Sequence, residues 1–177
     1  MPQNNITNFK NIEYLKYGNE RQKLAYSEII HLYIFENLKK FNPILTGTIP
    51  IGIDLPESDL DIICECKNHS KFSELLITLF SNQKGFKILS TVQDGIESTI
   101  ATFKTVHFLF EVFGQNIKTD KQNAYRHMLI ENRILQEKGV EFKQEIIKLK
   151  SSGIKTEPAF AKLLGLSGNP YVELLKL

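Results

Sequence analysis

Apolar residues at Ala25, Ile29, Ile30, Leu32, Tyr33, Ile34, Phe35 and Leu38 form a wide stripe, the pattern of one long packing helix running to about Lys40. Asn19 followed by Gln22 reads as the capping box that opens it, and residues 9–18 predict a shorter helix before it. Phe72, Leu75, Leu76, Leu79 and Phe80 repeat the helical spacing within 69–81. Between and after these stripes the period changes. Short apolar or alternating runs predict strands at 44–46, 59–66, 86–92, 96–103 and 106–113, with Asp94-Gly95 as a hairpin turn. From Lys121 onward the pattern is helical again, over 121–138, 141–151, 157–164 and 170–176, with Gly139, Gly153, Gly165 and Gly168 between segments.

Strands gathered within 44–113 and a run of helices from 121 onward predict an α+β fold: a small mixed sheet with helices on one side and a C-terminal helical bundle. The expected division is a sheet core over residues 1–116 and a helical subdomain over 117–177, packed directly on it. The 177 residues suffice for a substantial core, and 42% hydrophobic with 24% charged is an ordinary globular composition. Met1 to Asn11 is polar, and no apolar run approaches the length of a membrane span. A cytoplasmic protein with no membrane partner is expected. Cys64 and Cys66 stand two apart on a predicted strand, a placement that suits small buried hydrophobes better than a disulfide or zinc site.

Charge adds a mild asymmetry. Residues 1–113 hold 11 basic and 13 acidic side chains, and 114–177 hold 11 and 7. A basic helical half facing an acidic site complements a nucleotide, while the imbalance is too small for duplex nucleic acid.

The stretch that carries chemistry is Gly47-Thr48 followed, one loop later, by Asp59-Leu60-Asp61. A strand alternates its side chains, so Asp59 and Asp61 share one face while Leu60, Ile62 and Cys64 take the other. Paired carboxylates repel, and a divalent cation relieves that repulsion. Gly47 lets backbone approach a ligand closely, and Thr48 offers N–H and hydroxyl donors to phosphate oxygens. The bland alternative is a strand opening with two solvated acids. The Gly-Thr pair at this distance ahead favours a metal-bound triphosphate.

This segment resembles the active-site signature of the polymerase-β-like nucleotidyltransferase superfamily. It is nearest in spacing to the minimal bacterial and antibiotic nucleotidyltransferases, in which a Gly, a Pro and a Ser recur at the positions of Gly52, Pro56 and Ser58. Thr48 stands where Ser is commoner, and Ile49, Ile51 and Leu55 occupy positions where those families often carry Arg. The whole chain also resembles a bacterial family catalogued only as a domain of unknown function, through Phe110 to Gln115, Gln122 to Met128 and Lys155 to Phe160. The superfamily resemblance implies transfer of a nucleotide from a nucleoside triphosphate to an acceptor hydroxyl, on a small molecule or protein. It implies two Mg2+ ions, with Asp59 and Asp61 as ligands and Gly47, Thr48 and Ser58 at the phosphates.

Glu111 lies within Phe108-Leu109-Phe110-Glu111-Val112-Phe113, and a carboxylate in such a run needs a partner. It is the candidate third metal ligand; the alternative is a strand-end Glu paired with Arg or Lys. Alternation puts His107 on the same face, as a base or a buttress for Glu111. Gln122, Arg126 and Arg133, with His127 one step away, form a helical stripe that suits phosphate, or equally a solvated face, and Lys150 and Lys155, on either side of Gly153, offer a second phosphate contact or a charged surface turn. A reading from another class keeps the fold as an inactive binding or regulatory module, antitoxin-like. The hydrophobic Ile49-Pro50-Ile51 supports it.

Overall fold

The capping box forms as read. In the computed structural model, which describes residues 7–93 and 95–177, the Asn19 side chain accepts from the Gln22 N–H at 2.8 Å while the Asn19 N–H donates to Gln22 Oε1 at 2.9 Å. The helix it opens is α1 (Glu20–His31), preceded by a 3-10 turn at Glu13–Tyr17. The single long helix to Lys40 is not observed: the chain breaks at Tyr33, in the left-handed region at φ 50, and resumes as α2 (Ile34–Asn37). The break has a packing reason. Ala25 and Ile29 face the core, and continuing their phase would turn Glu36 inward. Re-phasing at Tyr33 instead buries Ile34 and Leu38 and leaves Glu36 exposed.

Five strands make one mixed sheet: β1 (Ile44–Thr46), β2 (Leu60–Glu65), β3 (Lys84–Gln93), β4 (Ile96–Lys104) and β5 (Leu109–Gln115). Their order is β1-β2-β5-β4-β3. Only β2 and β5 are parallel; the other neighbours are antiparallel. The β3–β4 hairpin pairs Gln93 with Ile96, and the Asp94 half of the expected turn lies outside the described residues. Register sets one row across the sheet, in which Thr46 pairs with Asp61, Asp61 with Glu111, and Glu111 with Thr102.

Helices cover both faces of the sheet, not one. Leu60, Ile62, Cys64, Phe110 and Val112 pack with residues of α1 and of α3 (His69–Phe80), and Phe103 stacks between Phe80 and Phe110 at 4.6 and 5.0 Å. Ile44 and Ile63 face the other way. They join Tyr125, Met128, Ile134 and Ile146 of α4 (Asn123–Ser151), Phe160 of α5 (Thr156–Leu164) and Leu174 of α6 (Pro170–Leu174). Gly139, at φ 84 and ψ −169, breaks α4 into two limbs at the point where the sequence predicts a helix boundary. Cys64 and Cys66 are free and buried. Among the described residues no helix is long and apolar enough to cross a membrane.

Candidate active site

The loop from Gly47 to Asp59 is held from two sides. From α1, Gln22 Nε2 donates to the Ile49 and Pro50 carbonyls at 2.9 and 3.1 Å, and Arg21 reaches the Ser58 carbonyl at 2.9 Å. Arg21 also pairs with Asp54 at 2.9 Å and lies over the Phe108 ring at 4.6 Å. From the second limb of α4, Lys143 donates to the Ile51 carbonyl at 3.4 Å and Lys150 to the Ile53 carbonyl at 2.5 Å. Ile49, Ile51 and Ile53 are all buried. Their side chains are therefore core anchors, which explains hydrophobic residues where arginines are common in the resembling families. None of the four polar clamps is visible in the sequence, because each acts on backbone carbonyls far away along the chain.

At the loop's two ends, β1 and β2 bring the small residues to the acids. Thr46, Gly47, Thr48, Ser58, Asp59, Asp61 and Glu111 line one cleft of about 650 Å³. Leu55 N–H donates to Ser58 Oγ at 2.8 Å, and Thr48 Oγ1 lies 3.4 Å from the same oxygen. Gly47 has φ +85, and a Cβ built there would stand 2.4 Å from Asp61 Oδ2. No other residue fits this turn without displacing the carboxylate.

The electrostatics follow from the register. Burial, then Asp59, then Glu111 push Asp61 up to about 8. Burial and Asp59 also raise Glu111. A cation relieves the negative charge that raises Asp61 and Glu111, and oxygen donors of this kind suit a hard divalent ion. Among the described residues, no group of three His, Cys, Asp or Glu side chains stands at metal-holding distances. The donor set and the Gly47 cradle fit a cation, and binding one requires the carboxylates to draw inward.

Several residues expected at the site are elsewhere. His107 is not on β5: Val106 to Phe108 form the turn between β4 and β5, and its Nδ1 lies 2.5 Å from Glu28 Oε1. Thr105 donates to the same Glu28 carboxylate. The roles of base or buttress therefore do not fit His107. Arg126 is exposed and donates to Asn123 at 3.0 Å, Arg133 donates to the Leu177 carbonyl at 2.8 Å, and neither lines the cleft. The helical stripe that predicts a phosphate grip is a solvent face. Lys155 is exposed just before α5 and also off the cleft.

Gln122 does line the cleft, but its amide braces the fold. Nε2 donates to the Cys64 and Ile117 carbonyls at 2.9 and 3.0 Å, while its buried Oε1 has no partner. Lys121, Lys150, His127, Glu131 and Glu157 also line it; of these, the sequence offers Lys150 as a phosphate contact and places His127 one step from the expected stripe, while Lys121, Glu131 and Glu157 carry no role there.

The family model described as "Domain of unknown function (DUF4269)" matches residues 27–177. The chain belongs to the DUF4269 family. A search of curated proteins finds no match. Among solved structures, this DUF4269 chain is similar to the Cid1 poly(U) polymerase with Mg and 3′-dATP bound, at TM-score 0.52 and 17% identity over 78% of this chain and 46% of that one. A cytoplasmic RNA terminal U-transferase aligns at TM-score 0.53 and 16% identity, over 81% and 47%. A chain of the GLD-2/RNP-8 complex aligns at 0.52 and 10%, over 81% and 56%. The chain spans about half the length of these structures. At such identities the likeness shows the fold alone, a nucleotidyltransferase-like α+β architecture.

Proposed function

We propose that the cleft transfers a nucleotide from a nucleoside triphosphate to an acceptor hydroxyl on a small molecule or protein, with divalent cations as cofactors. The observation that carries this reading is the meeting of Asp59, Asp61 and Glu111 at one cleft mouth, with Gly47 pressed against Asp61 Oδ2. In the reaction the acceptor oxygen forms a bond to the α-phosphorus as the bond to the departing pyrophosphate breaks. The hydroxyl proton leaves to Glu111, the half-buried carboxylate across from Asp61. Asp59 and Asp61 would hold magnesium, with Glu111 sharing a second ion, and the metal when bound neutralises phosphate charge and lowers the acceptor's pKa. Gly47 and Thr48 seat the terminal phosphates with backbone N–H groups and the Thr48 hydroxyl, and Ser58 fixes the Thr48 side of the loop. The fixed loop orients the triphosphate by excluding alternative backbone positions.

A second reading, an inactive fold kept for a macromolecular partner, draws on the absence of a preset three-ligand metal group among the described residues. Pyrophosphate release separates the two. Protein, magnesium and each triphosphate are incubated with a cell-extract fraction below the size of macromolecules and, separately, with the protein fraction. Transfer predicts release in one mixture that is lost in Asp61→Asn; no release in any mixture favours the binding module.

A further inference from the structure

The helical wall of the same cleft carries a feature that transfer at the Asp59–Asp61 end does not use. Glu131, on the first limb of α4, is 4% exposed, lines the cleft, and its Oε1 has no hydrogen-bond partner. An unpartnered buried carboxylate oxygen is costly, since desolvation is not offset by a donor. Its neighbours do not supply one. Lys150 spends its ammonium on the Ile53 carbonyl at 2.5 Å, and Glu157, also on the cleft wall, faces His127 at 3.8 Å. His127 in turn sits 2.8 Å from the Tyr171 carbonyl through Nε2. Among the described residues no ion pair includes Glu131. Phosphate oxygens bring only acceptors, whereas the unpartnered carboxylate oxygen needs a donor.

We infer that Glu131, with Glu157 beside it, forms a subsite for an amino group of a ligand in the cleft, which donates N–H to the unpartnered carboxylate oxygen. The source of that nitrogen is either an amine on the acceptor or the exocyclic amino group of the nucleobase. Both present the donor that Glu131 lacks. A carboxylate built to accept a hydrogen bond rejects an analogue without the donor strongly, because the buried oxygen is then left unpaired. The inference rests on the transferase reading in naming the source of the nitrogen, while the subsite itself rests on the burial and missing partner of Glu131.

The proton balance gives a second signature. Burial and Glu157 push Glu131 up to about 8, with Lys150 opposing them. At neutral pH Glu131 in the protein alone therefore holds its proton, facing Glu157, Lys150 and His127. A bound ammonium favours the ionised form, so binding of an amine releases a proton to buffer.

Calorimetric titrations of wild type, Glu131→Met, Glu157→Gln, Asp59→Asn and Arg126→Ala test this in two arms. One arm uses spermidine without nucleotide, in saturating magnesium that occupies the Asp59–Asp61 end; the other compares ATP, CTP and GTP with ITP and UTP in magnesium. The last two lack an exocyclic amino group. Glu131→Met keeps side-chain length and removes the acceptor, which a glutamine would retain. A loss of tenfold or more for spermidine in Glu131→Met, with wild-type affinity in the exposed, off-cleft Arg126→Ala and with lost proton release, assigns the nitrogen to the acceptor. A wild-type preference for amino-bearing triphosphates of tenfold or more, erased in Glu131→Met, assigns it to the base. If Glu131→Met fails to unfold cooperatively, Glu157→Gln is the variant read, with a smaller loss in the same arm. Nucleotide binding that ignores Asp59 overturns the transferase reading and leaves the spermidine arm standing. Equal behaviour of wild type and Glu131→Met in both arms, including no binding in either, overturns the inference.

Discussion

Asp61 and Glu111 stand directly opposite one another in the parallel pair β2–β5. Side-chain alternation then points both carboxylates to one face, and the antiparallel β1 places Thr46 beside Asp61 on the other flank. The acid site is thus a property of sheet register, which a one-residue slip would destroy.

Gly47→Ala tests how tightly the site is built. Its φ of +85 disfavours any L side chain, and the new Cβ would stand 2.4 Å from Asp61 Oδ2. The expected loss is about 1–3 kcal/mol of stability, with at least a tenfold loss of magnesium-dependent nucleotide affinity. Chemical denaturation and nucleotide titration measure the two effects on one preparation. Stability and affinity both at wild-type level would show that the Gly47 turn is not the cradle.

Arg21→Ala tests the clamp on the motif loop. It removes the Asp54 pair, the bond to the Ser58 carbonyl and the stacking on Phe108 together. Because these groups are partly buried, the expected cost is about 2–3 kcal/mol. Arg126→Ala and His107→Ala, both exposed, are expected within about 0.5–1 kcal/mol of wild type with unchanged nucleotide affinity. A loss of affinity in Arg126→Ala would return the arginine to the phosphate site.

These contrasts show what the chain's pattern makes legible. Strand alternation and the Asn19–Gln22 capping box are local, so the sheet, α1's start and the Asp59–Asp61 face could be read directly. Glu111 was reached because a carboxylate among Phe108, Leu109, Phe110, Val112 and Phe113 contradicts its surroundings. His107 was misplaced by extending the same alternation three residues into a turn, where Thr105 and His107 instead meet Glu28 from α1. Arg21, Lys143 and Lys150 grip carbonyls 37 to 97 residues away, and Arg21 pairs with the similarly distant Asp54; no local period encodes such contacts. Glu131 lies on a helix where the sequence singles out only the Gln122–Arg126–Arg133 stripe, and its burial comes from tertiary packing that no local period encodes.

Glu131 also sets a pH dependence. Its folded pKa of about 8 lies above the ordinary value of 4.5, so the folded state holds the proton more tightly than the unfolded chain. Stability from this group is present below about pH 4.5 and is lost as pH rises toward 8. Glu131→Gln removes the slope: its melting temperature should match wild type within about 2 °C near pH 5 and exceed it by about 3 °C or more at pH 8. Melting curves across that range check it. A difference that is constant with pH would place Glu131 in contact with solvent or a cation.

The central claim is that Asp59 and Asp61 hold a divalent cation for a nucleoside triphosphate. Asp59→Asn and Asp61→Asn keep side-chain shape while removing charge, and without metal each should fold at least as well as wild type, because adjacent carboxylates repel. The decisive measurement is thermal unfolding of the three proteins with and without millimolar magnesium plus each triphosphate. The account predicts an upward shift of several degrees for wild type with at least one triphosphate, dependent on magnesium, and none for either variant. No shift for wild type with any triphosphate, or an equal shift in Asp61→Asn, would contradict it.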